Sequence, residues 1–394
     1  MSLPTNRLRI KQLAFAQAEA AIFDRAKKKS THLFNPDQVE FVNDQPDVLM
    51  FLTGGSERAA IECVQEFRFY LLLASREANA WASALEVKAW MAQHRISAML
   101  VDTDDPAAPQ LLCDFYHALM GVKHLRGQRL GVVGAPSDWL VASGLSPYVL
   151  RNKMGVEMVN LQWADIVFDE ITAPNEQFCN AFDNVADTTE LHHSSRIYEG
   201  LASLVPFYNL DALAVECFPM VRQSGHTACL ALAKLNAEGI PTACEADPVS
   251  AVGMMLVHRV CGLAPWMANT AHVAQGKALF AHCTAPLNLL SSFKVDTHFE
   301  TSAGQAIAGD LSGDAVTVVR LNSALDRMFV AECEVLARPH HKTACRTQLE
   351  VAISAPAYDY FMNRAYGNHH LLLPGHWANR LRLAAQLLQI TVEG

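Results

Sequence analysis

The sequence predicts an α/β protein that changes character in its last third: two α/β units with parallel sheets, then an antiparallel β domain. Three observations carry this. Short, continuously apolar runs alternate with helical patterns as far as residue 260, a basic segment at residues 123–129 interrupts the alternation once, and beyond Cys261 short strands follow one another with turn residues between them. Apolar strands joined by helices mark a parallel sheet covered on both faces, whereas strands joined by turns mark an antiparallel one.

Residues 1–40 come first. Arg7, Arg9, Lys11 and the run of lysines at 27–29 surround an apolar stripe over residues 8–23, which reads as an amphipathic helical arm. Its solvated face suits docking on a neighbouring subunit better than a membrane surface. The first α/β unit, residues 41–126, opens with the apolar run 46–55 and its closing Gly54-Gly55 pair. Residues 71–74 and 96–101 repeat the scheme, each followed by a helical pattern. The second unit, residues 127–260, has strands at 130–134, 157–161, 212–218 and 241–245, with helices over 189–204, 227–238 and 249–260. The last domain, residues 261–394, carries strands at 278–282, 316–321, 328–335 and 347–353 and a closing helix over 376–388.

Composition excludes several classes. The 394 residues are 51% hydrophobic and 18% charged, which is globular. A net charge of −9 argues against a nucleic-acid-binding role, which needs a basic face. No apolar run is long enough to span a bilayer, and the N-terminus lacks a signal-peptide pattern. Ten cysteines occur without a CxxC pair, so neither a thiolate zinc site nor a disulfide framework is expected, and a reducing cytoplasm is. Thr53-Gly54-Gly55 and Gly131-Val-Val-Gly134 lack the GxGxxG spacing, which argues against a nucleotide cofactor.

Polar chemistry concentrates in three places. Glu245 and Asp247 stand where a strand gives way to a helix, the position at which open α/β sheets bind ligands. Asp247, followed by Pro248, reads as a helix cap, whereas Glu245 has no capping role and is the catalytic candidate. His282 closes an apolar strand, as a core residue or a pocket residue. His369 and His370 follow Gly367-Asn368, and adjacent residues on a strand face opposite sides, so one of them at most joins a given site. A carboxylate with an imidazole can hold a divalent metal and leave positions open for substrate. His298, Glu300 and Arg346 are candidate pocket walls.

Several blocks, in order, resemble the L-fucose isomerase-like family and, more distantly, the L-arabinose isomerases. They are Ala214-Val-Glu-Cys-Phe218, Cys229 to Gly239, Ala243-Cys-Glu-Ala-Asp247, Trp266-Met-Ala-Asn269, Ala281-His-Cys-Thr284, Cys345-Arg-Thr-Gln348 and Gly367-Asn-His-His370. The resemblance covers residues 48–394, in a chain shorter than familiar members. It implies two Rossmann-like domains followed by an antiparallel β domain, a trimer or hexamer, and aldose–ketose isomerisation of a sugar through an enediol with Mn²⁺ or a similar divalent ion. The metal ligands it implies are Glu245, the residue at Asn269, and a C-terminal histidine, His370 in preference to His369. His369 then joins His298, Glu300 and Arg346 in binding substrate, and His282 becomes a pocket histidine and a catalytic candidate beside Glu245 and Asn269. Asn269 departs from the family, which has an acid there: an amide oxygen can ligate a cation but takes up no proton. An epimerase or retro-aldol lyase with the same metal–enediolate chemistry, and a non-catalytic sugar-binding protein, are the alternatives.

Overall fold

The computed structural model describes residues 6–66, 68–182, 185 and 187–394, apart from the side chains of residues 29 and 30. The chain forms two compact units, Met1–Lys123 and His124–Gly394.

The first unit is built on five parallel strands: β1 (Leu8–Leu13), β2 (Val39–Phe41), β3 (Val48–Phe51), β4 (Phe69–Ala74) and β5 (Ser97–Asp102). Their order is β2-β1-β3-β4-β5. Leu49, Phe51, Tyr70 and Leu72 pack against Ala84, Val87 and Met91 of the helix Ala80–Gln93, and this cluster is the unit's core. Asp47, just ahead of β3, is buried and takes Arg68 Nη2 at 3.3 Å and Lys123 Nζ at 2.8 Å.

Here the helical arm expected over residues 8–23 is corrected. Residues 8–13 are a strand, paired on one side with β2 and on the other with β3, and the helix begins only at Ala20. Leu8, Ile10 and Leu13 are buried while Arg9, Lys11 and Gln12 between them are not, which is strand alternation rather than a helical stripe. Arg9 is tied by its backbone N–H to Asp47 Oδ2 at 3.1 Å and by Nη2 to the Asp44 carbonyl at 2.9 Å. The apolar residues of 8–13 are therefore interior and offer no docking face, whereas Phe15 beyond them is 43% exposed. Of the expected arm, residues 1–5 lie outside the described residues. Ile10→Val is expected to cost about 0.5–1.5 kcal/mol, the loss typical of one core methylene, in urea unfolding. A variant as stable as the parent would place Ile10 outside the core.

The second unit starts with four parallel strands, β6 (Arg129–Val133), β7 (Glu157–Leu161), β8 (Ala212–Val215) and β9 (Thr242–Cys244), in the order β7-β6-β8-β9. The order reverses between β6 and β8, so the loops leaving their carboxyl ends part there and open a crevice. From β9 the chain enters the helix Pro248–Cys261, apolar nearly all round and buried over most of its length. That burial is explained by its neighbours, because it packs on β6, β8 and β9 and also on two later strands, β14 and β17.

Those later strands make the antiparallel part: β10 (Trp266–Ala274), β11 (Lys277–His282), β12 (Leu290–Asp296), β13 (Ala306–Leu311), β14 (Ala315–Leu321), β15 (Arg327–Ala337), β16 (Thr347–Ala352), β17 (His369–Pro374) and β18 (Thr391–Glu393). The antiparallel sheet agrees with the expectation from sequence, and the structure adds its closure. The order β14-β17-β10-β11-β16-β15 returns on itself through β14–β15 pairing, giving a six-stranded barrel, with β18 added parallel to β15. β12 and β13 form a separate hairpin, held to β16 by Thr347, whose Oγ1 donates to the Ile307 carbonyl and accepts from the Gly309 N–H. Gly253 lets the buried helix approach the barrel: a Cβ there would stand 2.7 Å from Leu371 Cδ1 on β17. This close approach brings the start of the helix beside the start of β17.

Candidate active site

The turn after β9 sets the site. Glu245 and Ala246 are successive non-glycine residues in the left-handed region, at φ 58° and 47°, each costing roughly 1–2 kcal/mol. The turn is held by Ser137 N–H on the Glu245 carbonyl at 3.1 Å and by Ala246 N–H on the Val215 carbonyl at 2.9 Å. It takes the Glu245 side chain out of the strand's alternation and aims it at the barrel. There it meets His282, the last residue of β11, and His369, the first of β17. Glu245 Oε1 lies 3.8 Å from His282 Nε2 and 3.6 Å from His369 Nε2, and all three residues are buried.

Behind these groups lies a second set of bonds. His369 Nδ1 donates to Asp247 Oδ2 at 2.9 Å, and His282 Nδ1 meets Thr284 Oγ1 at 3.0 Å, so each ring is oriented with Nε2 towards Glu245. Asp247 does cap its helix, accepting the Ser250 N–H at 2.9 Å. It also receives Ser250 Oγ at 2.7 Å, Ser143 Oγ at 3.2 Å and Arg320 Nη1 at 3.3 Å. Arg320, from β14, further donates to Ser250 Oγ and Ser143 Oγ at 2.6 and 2.8 Å. Asp247 and Arg320 are 0% and 1% exposed. Finally, Trp139, on the loop after β6, donates its indole N–H to Glu245 Oε2 at 2.6 Å.

The electrostatics follow from these neighbours. Burial works to raise the Glu245 carboxyl, but the His282 and His369 rings facing it hold it well below the usual range. Burial likewise opposes ionisation of Asp247, and Arg320 with His369 holds that carboxyl low. His369 is pulled down by burial and, more strongly in sum, pushed up to about 9 by the two carboxylates beside it. Burial, aided by the charge of His369, lowers His282. A negative carboxylate thus faces both ring edges.

A divalent cation fits that field. The three donor atoms lie within 4.8 Å of one another, and ligands at about 2.0–2.2 Å from a shared ion stand roughly 3–4 Å apart. His369 Nε2 is buried without a hydrogen-bond partner, an atom left for something the protein does not supply. One carboxylate and two imidazoles, each ring backed by its own hydrogen bond, is a donor set for a transition ion.

The other expected residues are placed as follows. Of the adjacent histidines it is His369, not His370, that faces Glu245. His370 points into the barrel, its Nδ1 against Thr270 Oγ1 at 2.9 Å and its Nε2 against Tyr360 OH at 3.1 Å, with the Phe361 ring 5.0 Å away. Burial and the charge of Arg320 push it down to about 3. With both nitrogens engaged among aromatic rings it is a core residue. Asn269 is the cross-strand partner of His369 and of Ala281, but its Oδ1 accepts from Asn368 Nδ2 at 2.6 Å. His298 is buried in the β12–β13 connection, its Nδ1 on Thr301 Oγ1 at 3.0 Å. Burial, then the charges of His282 and Arg346, push it down to about 4. Arg346 holds the same connection through the Thr297 carbonyl at 2.7 Å and lies over the Phe299 ring. Glu300 is exposed there, its carboxyl raised by partial burial and then by the Glu245 carboxylate. Sequence reasoning did not single out Trp139, Ser143 or Arg320. Only Arg320 carried a signal, as a lone charge inside the apolar run 316–321.

A barrel packed on a parallel sheet, with a carboxylate and two imidazoles converging at the carboxyl end of that sheet, describes a metal-competent small-molecule site. No family model matches the chain. It is similar to a sulfoquinovose isomerase of Alkalicoccus urumqiensis, 21% identical over 320 residues that cover 76% of this chain and 72% of that protein. The likeness supports a sugar isomerase at the level of reaction class. Among the described residues no helix is long and apolar enough to cross a membrane.

Proposed function

We propose that this chain is an aldose–ketose isomerase acting on a monosaccharide at a divalent cation held by Glu245, His282 and His369. The observation that carries the reading is the convergence of those three donor atoms around the unpartnered His369 Nε2. When bound, the ion would polarise the sugar's carbonyl and the neighbouring hydroxyl. The protein's own groups would do the rest.

Isomerisation moves one proton between adjacent carbons and another between their oxygens, with no net gain or loss. Glu245 is the proton carrier in this reading. Asp247 is unsuited to it, being fully buried and ion-paired with Arg320. Glu300, exposed and with its carboxyl raised, is the second acid, standing in for the carboxylate that Asn269 lacks. His298 and Arg346 bind substrate oxygens from the β12–β13 side. Asn269, its amide oxygen taken by Asn368, is not a ligand in this scheme. Mn²⁺ is the first ion to test, and sulfoquinovose, which the relative's name gives, the first sugar. An assembly of three or six copies, which rests on the family resemblance, in a reducing cytoplasm, which rests on the cysteine usage, completes the proposal.

The test is made on the full chain stripped with a chelator. Aldose–ketose exchange, followed by NMR over a panel of free and sulfonated aldoses, is expected to vanish on stripping and to return with Mn²⁺ or Co²⁺. Exchange that survives chelation with no bound ion would refute the metal. Metal uptake with C–C cleavage or epimerisation instead of exchange would refute the isomerase.

A further inference from the structure

We infer that Trp139 is a positioning residue: its indole N–H holds the outer oxygen of Glu245, so that the carboxylate presents one oxygen, Oε1, to the two imidazoles. The inference rests on the metal reading above and adds a residue that no motif suggested.

Three features of the structure support it. The first is the division of labour on one carboxylate. Oε1 faces His282 Nε2 and His369 Nε2 at 3.8 and 3.6 Å, while Oε2 accepts the indole N–H at 2.6 Å. A carboxylate can bind an ion through one oxygen or both, and a charge-assisted bond on Oε2 opposes the second mode. Next comes the state of the indole itself. Trp139 is 49% exposed, so burial does not account for it, and its ring has an edge contact with Phe218 at 4.8 Å while the N–H is fully engaged.

The third is the loop that carries it. Ser137 N–H bonds the Glu245 carbonyl at 3.1 Å, Leu140 N–H bonds the Ser137 carbonyl at 2.9 Å, and Ser143 N–H bonds the Leu140 carbonyl at 3.0 Å. Ser143 Oγ then reaches Asp247 Oδ2 at 3.2 Å. The loop is thus fastened to the turn on both sides of Trp139 by bonds that do not involve the indole. Removing the N–H therefore frees the carboxylate without releasing the loop. Tryptophan is apt here because its only polar atom is a donor, which neither competes for the cation nor accepts a proton.

Two variants separate the N–H from the ring. Trp139→Phe keeps the aromatic packing on Phe218 and removes the donor, whereas Trp139→Gln keeps a donor of similar reach and removes the ring. Co²⁺ titration of the stripped full chain is expected to show about a tenfold or greater loss of affinity in Trp139→Phe, the range seen when a ligand's hydrogen-bond partner is removed. The visible Co²⁺ spectrum should change as the second oxygen enters. Trp139→Gln should retain affinity within about threefold and the parent spectrum, on the same grounds. Parent affinity and spectrum in Trp139→Phe, or equal losses in both variants, would overturn the inference. A second readout needs no metal. The indole ¹H–¹⁵N resonance that disappears in Trp139→Phe should lie downfield and move upfield in Glu245→Ala. If the parent takes up no Co²⁺, the metal reading falls, and an indole resonance insensitive to Glu245→Ala would overturn the Trp139–Glu245 contact as well.

Discussion

Glu245→Ala is expected to lower turnover on the sugar substrate by about 10²–10⁴-fold, the share that a positioned proton-carrying side chain usually contributes, and to weaken cation binding in parallel. Both effects follow from the proposal that one carboxylate serves the cation and the proton. The backbone complicates the comparison, because Glu245 sits at φ 58°, where any side chain with a Cβ is strained. Alanine keeps that strain and glycine relieves it, by roughly 1 kcal/mol. Glu245→Gly should therefore be at least as stable to heat as Glu245→Ala while being as inactive. Calorimetry beside the exchange assay separates the two contributions. Parent-like turnover in either variant would remove Glu245 from the chemistry.

Arg320→Met is expected to cost about 3–5 kcal/mol, the usual price of leaving one member of a buried ion pair uncompensated. Asp247 and Arg320 are 0% and 1% exposed, and among the described residues His369 would be the cationic partner left to Asp247. For a unit of this size the melting temperature should fall by roughly 10 °C. The double variant Arg320→Met with Asp247→Asn should recover part of the loss, since both charges are then gone. A single variant as stable as the parent would show that the pair is not holding the helix Pro248–Cys261 to the barrel.

How much of this was legible beforehand depended on the physics of each signal. Buried parallel strands such as Ala212–Val215 announce themselves, since both faces are covered and the run is continuously apolar. Residues 8–13 deceived because charged and apolar residues alternated over too short a stretch to separate a period of 2 from one of 3.6, and the helix from Ala20 extended the stripe. Glu245 was legible from its place after a strand. The choice between His369 and His370 was not, because the face each takes depends on the register of β17 with β10, which pairs Asn269 with His369. Trp139, Ser143 and Arg320 lie far from Glu245 along the chain. Their roles arise only when the loop after β6 and the strand β14 meet the turn after β9, and no local pattern encodes that meeting.

Closure of the barrel also governs how this part of the molecule can associate. An open sheet ends in a row of unpaired N–H and C=O groups, a template on which another chain can add a strand. Here β14 and β15 satisfy each other along Ala315 to Leu321. Where β16 pairs only with the far end of β15, at Val335 and Ala337, the near end at Arg327 to Phe329 is covered by β18. Arg327 and Arg364 fasten that short strand through Glu393, at 2.9 and 2.8 Å. The stretch from Arg327 to Phe329 is thereby closed to a strand from another chain, and the sheet ends instead at β18, three residues long.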